Sequence, residues 1–126
     1  MRDFSVQLTH RPGELASVTN ALSLQGVNLK SVAAMTLGSQ GVVRFIPDDA
    51  DAARTALRAG GIRFEEKEVL TLMLENRAGE LTGVAGKLAD AGLNLEAVYV
   101  VGLADDLIEL AIAVDDVKKA KKVLEL

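Results

Sequence analysis

The stretch Leu8–Val32, LTHRPGELASVTNALSLQGVNLKSV, returns 66 residues later as Leu74–Val98, LENRAGELTGVAGKLADAGLNLEAV. The two segments align without a gap, and 11 of their 25 positions are identical: Leu8/Leu74, Arg11/Arg77, Gly13/Gly79, Glu14/Glu80, Leu15/Leu81, Val18/Val84, Leu22/Leu88, Gly26/Gly92, Asn28/Asn94, Leu29/Leu95 and Val32/Val98. Ordinary composition gives roughly two matches by chance. Self-similarity at a fixed period of this size marks one structural unit used twice. Beyond Val32 the match fades, and a shift of one residue is needed to bring Asp48-Asp49 over Asp115-Asp116.

Working outward, both copies parse alike. Phe4, Val6, Leu8 and Leu70, Leu72, Leu74 recur at every second position, which predicts a first strand with one buried face. Arg-Pro-Gly-Glu and Arg-Ala-Gly-Glu are turn chemistry. They lead into apolar residues at i, i+3 and i+7 (Leu15, Val18, Leu22; Leu81, Val84, Leu88), a helix ended by Gly26 and Gly92. Asn28–Leu37 with Val42–Ile46, and Asn94–Leu103 with Leu107–Val114, predict a hairpin in each copy. Asp48, Asp49, Asp51 and Asp115, Asp116 favour the start of a second helix, which Gly60-Gly61 ends in the first copy. Ile62–Lys67 then reads as a fourth strand and Glu68–Glu75 as the first strand of copy two, with Glu65–Glu68 at the crossing point.

The fold class is therefore α+β: two ferredoxin-like βαββαβ units in tandem, residues 1–67 and 68–126. The second lacks its final strand, because the chain stops at Leu126 after the helical Val117–Leu124. Seven strands are expected, with the first strand of copy two an exposed edge, a liability usually managed by pairing.

Composition narrows the function. Of 126 residues, 49% are hydrophobic and 25% charged, an ordinary globular balance. No apolar run reaches the ~18 residues of a membrane span, and the alternating pattern after Arg2 and Asp3 is unlike a signal peptide. The absence of cysteine removes disulfides, thiolate metal sites and cysteine nucleophiles. A single histidine, His10, leaves little for metal binding or histidine-based catalysis and reads as a loop residue. A net charge of −4 argues against a nucleic-acid backbone. An RRM-like use of the same topology needs aromatic platforms, and the chain has only three Phe and one Tyr. Lys118, Lys119, Lys121 and Lys122 suit either a solvated helix end or an anion patch. No nucleotide, hydrolase or zinc motif occurs, and the carboxylates stand in helix starts and surface runs, so no catalytic residue is assigned.

The shared residues have two readings. Gly13 and Gly79 allow backbone amides at the first helix's N-terminus to approach a carboxylate or phosphate, and Asn28 and Asn94 offer donors and an acceptor to a small polar ligand. Equally, the glycines make a tight turn, Glu14 and Glu80 counter the helix dipole, and the asparagines bond locally. Arg11 and Arg77 suit an anion or a solvated role. The topology is expected to bring this turn and the start of the second strand to one end of the sheet.

His10-Arg11-Pro12-Gly13-Glu14-Leu15 with Gly26-Val27-Asn28-Leu29, and Asn76-Arg77-Ala78-Gly79-Glu80-Leu81 with Gly92-Leu93-Asn94-Leu95, resemble the signature of ACT domains. Ala78 stands where the motif commonly has Pro. The resemblance spans nearly the whole chain as a tandem pair. It implies a non-catalytic regulatory module that binds an amino acid at the interface between ACT units, through the loop after the first strand and the start of the second. Carried over residue by residue, the ligand-binding positions are Arg11, Pro12, Gly13, Glu14, Leu15 and Asn28, and Arg77, Ala78, Gly79, Glu80, Leu81 and Asn94. The expectation is a cytoplasmic homodimer without cofactor or metal, acting on an enzyme of amino-acid metabolism. A ligand-independent interaction or dimerisation module is the alternative.

Overall fold

The computed structural model describes residues 1–9 and 11–126; His10, read above as a loop residue, lies outside the described residues. The elements run β1 (Arg2–Thr9), α1 (Glu14–Leu24), β2 (Leu29–Leu37), β3 (Gln40–Pro47), α2 (Ala50–Ala59), β4 (Glu65–Glu68), β5 (Leu70–Glu75), α3 (Glu80–Asp90), β6 (Leu95–Ala104), β7 (Leu107–Val114) and α4 (Val117–Val123). Two compact units result, Arg2–Lys67 and Glu68–Leu126 with Met1. Their sheets have strand orders β2-β3-β1-β4 and β5-β7-β6, the second with three strands and β5 at its edge.

In the first unit β1 pairs antiparallel with β3, Phe4 opposite Phe45 and Val6 opposite Val43. The pleat places these four on one face, where they are buried with Val18 and Leu22 of α1 and Ala53, Ala56 and Leu57 of α2. Phe4 and Phe45 stack with centroids 5.6 Å apart, and Phe64 tilts against Phe4 at 5.6 Å. The second unit repeats the plan with a smaller, aliphatic core of Leu70, Val84, Leu88, Leu93, Ile112, Val114 and Ala120.

The helix ends explain the spacing of the repeat. After α1 the Val27 N–H donates to Leu22 O (3.1 Å) and the Gly26 N–H to Ser23 O (3.0 Å); after α3 Leu93 and Gly92 repeat this with Leu88 (2.9 Å) and Ala89 (2.9 Å). This pattern satisfies orphan carbonyls and turns a buried apolar residue back onto the helix. The same closure corrects one boundary. Ile62–Lys67 alternates like a strand, yet the Ile62 N–H donates to Leu57 O (2.9 Å) and the Gly61 N–H to Arg58 O (3.1 Å), ending α2. The first residues of that segment finish the helix, Ile62 and Phe64 pack on the core, and β4 begins at Glu65.

The one-residue slip between the copies also has a physical location. Both β2 and β6 are irregular after their first residue, but β6 carries a second bulge between Val100 and Gly102. A bulge adds one residue to one strand without disturbing its partner. Thus β1 and β5 correspond at an offset of 66 residues, while β3 and β7 correspond at 67.

On the other face of β1, Asp3 is 1% exposed and accepts from Arg44 Nε (2.9 Å) and Nη2 (2.5 Å). Glu66 of β4 accepts from Arg2 of β1 (2.9 Å) and from Arg54 of α2 (2.8 and 2.5 Å). The Arg54 hydrogen bonds hold the Glu66 carboxyl at about 2, with burial opposing and Arg2 assisting.

Candidate functional site

Each unit turns sharply between its first strand and first helix. The Arg11 N–H donates to Thr9 O (2.8 Å) and the Arg77 N–H to Glu75 O (2.9 Å). Gly13 and Gly79 are the N-caps of α1 and α3, with φ of +89° and +90°, a region that L side chains rarely adopt. Nothing lies within 4 Å of a Cβ built on either residue, so backbone conformation rather than crowding calls for glycine here. Neither helix has a side-chain cap, which leaves its first N–H groups without a side-chain partner.

Beside the Gly13 turn is a cleft of about 270 Å³, lined by Leu8 and Thr9 of β1, Arg11, Glu14, Leu15, Ala34–Thr36 of β2 and Gly41-Val42 of β3. Three of the sequence-derived positions, Arg11, Glu14 and Leu15, border it; Pro12 and Gly13 do not. Arg11 Nε donates to Glu14 Oε1 (3.1 Å) at the rim, and Leu15 is 40% exposed. A wider hollow of about 930 Å³, with Ser5, Gln7, Arg58 and Arg63 among its lining, holds none of the described turn residues Arg11–Leu15.

In the second unit Arg77 Nε donates to Glu80 Oε1 (2.7 Å), and Arg77 Nη1 lies 2.7 Å from Glu75 Oε2. Ala78 and Leu81 are exposed beside Gly79.

Asn28 and Asn94 are elsewhere. Thr9 pairs with Gln40 at one end of β3, while Leu29 pairs with Pro47 at the other. Seven strand steps at about 3.3 Å separate these ends by roughly 23 Å. The expectation that the turn and the start of β2 share one end of the sheet is therefore overturned: an antiparallel β1–β3–β2 arrangement puts them at opposite ends.

At that far end the asparagines have a local task. The Asp48 N–H donates to Asn28 O (2.9 Å) and the Asn28 N–H to Asp48 Oδ1 (3.1 Å). Asn94 and Asp115 repeat this at 3.3 and 3.2 Å, and Asn94 Nδ2 also donates to Asp115 Oδ2 (3.1 Å). Burial pushes the Asp115 carboxyl up, but the Asn94 hydrogen bonds outweigh it and hold the group below its usual range. Asp48 and Asp115 thus tie the start of β2 or β6 to the segment before the next helix, while Asp49 and Asp116 cap α2 and α4. Sequence reasoning placed both aspartates of each pair at the helix start. The Asp-Asp doublet facing a duplicated Asn twenty or twenty-one residues earlier was the available signal.

Among the described residues no group of His, Cys, Asp or Glu is arranged to hold a metal ion, and no helix is long and apolar enough to cross a membrane.

No protein-family model matches this sequence, and no curated protein does. Solved structures do. The chain is similar to protein BT0572 from Bacteroides thetaiotaomicron, with TM-score 0.86 and 25% identity over 98% of this chain and 85% of that one. It is also similar to the regulatory subunit of aspartate kinase from Thermus thermophilus, crystallised ligand-free, with TM-score 0.68 and 17% identity over 98% and 89% of the two chains. The fold is the ACT fold. The corresponding Thermus flavus subunit matches with TM-score 0.66 and 14% identity over the same shares. Both copies of the ACT plan are present here, one with four strands and one with three.

Proposed function

We propose that this tandem ACT chain is a non-catalytic regulatory module that binds a free amino acid through its strand-to-helix turns. The observation that carries the proposal is the cleft at the Gly13 turn, where Arg11 and an uncapped helix start stand beside the apolar Leu8 and Leu15. An amino acid offers the matching halves, a carboxylate for the cation and amides and a side chain for the apolar wall. The sequence-derived set Arg11, Pro12, Gly13, Glu14, Leu15, Asn28 and Arg77, Ala78, Gly79, Glu80, Leu81, Asn94 is retained in this proposal. Because Asn28 and Asn94 lie a sheet's length from the turn of their own unit, each joins a turn only from another ACT unit. A homodimer supplies such a unit.

The ligand acts by stabilising one arrangement of units over another, to the extent of its difference in affinity for the two. The regulated partner is an enzyme of amino-acid metabolism, and the setting is cytoplasmic. A thermal-shift screen of the twenty amino acids tests the proposal. A few should raise Tm at millimolar concentration, and a flat response to all would overturn it.

Ligand-independent dimerisation is the second reading, favoured by the edge position of β5 in a three-stranded sheet. It predicts a dimer in sedimentation whether or not amino acids are present.

A further inference from the structure

The two turns share their sequence but differ at two places that face the cleft. The first is a matter of volume. Leu8 of β1 pairs with Gly41 of β3, and the corresponding Leu74 of β5 pairs with Ile108 of β7. Both rungs lie on the helix-covered face, since Val43 and Phe45 follow Gly41 at two-residue steps, as Leu110 and Ile112 follow Ile108. Gly41 has no positive φ that demands glycine, and a Cβ built there meets only ordinary contacts, 3.5 Å from Met35 O and 3.7 Å from Leu8 Cβ. A strand-interior glycine without a backbone reason leaves room for something to approach. At this place the first unit has its cleft, whereas the second has a half-buried isoleucine side chain.

The second difference is charge. Thr9 in the first unit corresponds to Glu75 in the second. Among the described residues Arg11 forms an ion pair with Glu14 only, while Arg77 is shared between Glu80 and Glu75, both at 2.7 Å. Counting Thr9, Arg11 and Glu14 against Glu75, Arg77 and Glu80 gives net charges of 0 and −1. An incoming carboxylate meets a free guanidinium edge in one turn and an added carboxylate in the other.

We propose that only the first unit's turn is a ligand site, that the second is closed by its own side chains, and that the ligand is an amino acid with a branched aliphatic side chain. Glu75 and Ile108 supply in the second unit the carboxylate on arginine and the branched hydrocarbon under the turn that the first unit takes from solution. This rests on the amino-acid-binding proposal above and narrows it, removing Arg77, Ala78, Gly79, Glu80 and Leu81 of the second turn from the ligand contacts.

The test is isothermal titration of the full chain with isoleucine, leucine and valine, and with aspartate and glutamine as polar controls. The expected result is one site per chain, selective for the branched aliphatic set. Gly41→Ile and Thr9→Glu, which transplant the second unit's residues, should each weaken binding at least tenfold, with the fold checked by circular dichroism. Thr9 is exposed, so its variant reads out even where Gly41→Ile perturbs packing. Two sites per chain, a preference for the polar acids, or full affinity in the Thr9→Glu variant would overturn this inference while leaving amino-acid binding intact. Absence of binding by all five would overturn this inference, and a flat response to all twenty amino acids in the thermal-shift screen would overturn both.

Discussion

Asp3 illustrates how a single residue is set by partners that sequence does not display. It stands in an alternating strand as though on an exposed face, yet it is 1% exposed and bound twice by Arg44, forty-one residues away. A buried carboxylate needs its cation, because removing one partner strands the other charge in a poorly solvated site. Arg44→Met is therefore expected to cost about 3 kcal/mol in urea unfolding, whereas the double variant Asp3→Leu/Arg44→Met should recover much of that loss. Gly13 and Gly79 are the opposite case. Their turn chemistry was legible from Arg-x-Gly-Glu because a positive φ is a demand on one residue. The task of Asn28 was not legible, since its partner Asp48 comes close only once β2 and β3 have paired.

Among the elements, β4 departs most from sequence expectation, and it shows what holds a short charged strand in place. Its four residues, Glu65–Glu68, contribute no apolar face; beside the strand pairing with β1, Glu66 attaches it, its carboxylate bridging Arg2 of β1 and Arg54 of α2. Holding Glu66 at about 2, against an ordinary 4.5, means that its contribution is present above about pH 4.5 and is lost as pH falls through 2. Glu66→Gln should lower stability at pH 7 by about 1 to 2 kcal/mol, a value reduced from the full linkage because the bridging Arg2 is partly solvated. The variant should also show a smaller loss between pH 4.5 and 2 than the parent. Denaturant midpoints across that range check both. From the sequence this strand starts at Ile62; competition from helix closure by Gly61 and Ile62 removes that start. Local pattern is ambiguous wherever two elements compete for the same residues.

At the scale of the whole molecule, the two copies differ in what their sheets and cores can do. The first unit packs three phenylalanines against four strands and two helices, while the second has three strands and an aliphatic core. Aromatic pairs add about 0.5–1.5 kcal/mol beyond their buried area. Hydrogen exchange on the intact chain should therefore be slowest at Val43–Ile46 of β3 and measurably faster across β5; equal protection in both sheets would contradict this account. The repeat, the order of strands and helices, the helix stops and the need for glycine in the turns were all set by residues close in sequence, through periodicity and backbone preference. Hence the tandem fold was readable from the chain, and of the six positions named in copy one three, Arg11, Glu14 and Leu15, border the cleft. Register was not readable. That Gly41 lies opposite Leu8 where Ile108 lies opposite Leu74 depends on pairing across more than thirty residues. Such pairing is chosen by collective burial of one face, since a slip of one residue turns every side chain over. For that reason two turns nearly identical in sequence stand over different strand residues, Gly41 in one unit and Ile108 in the other.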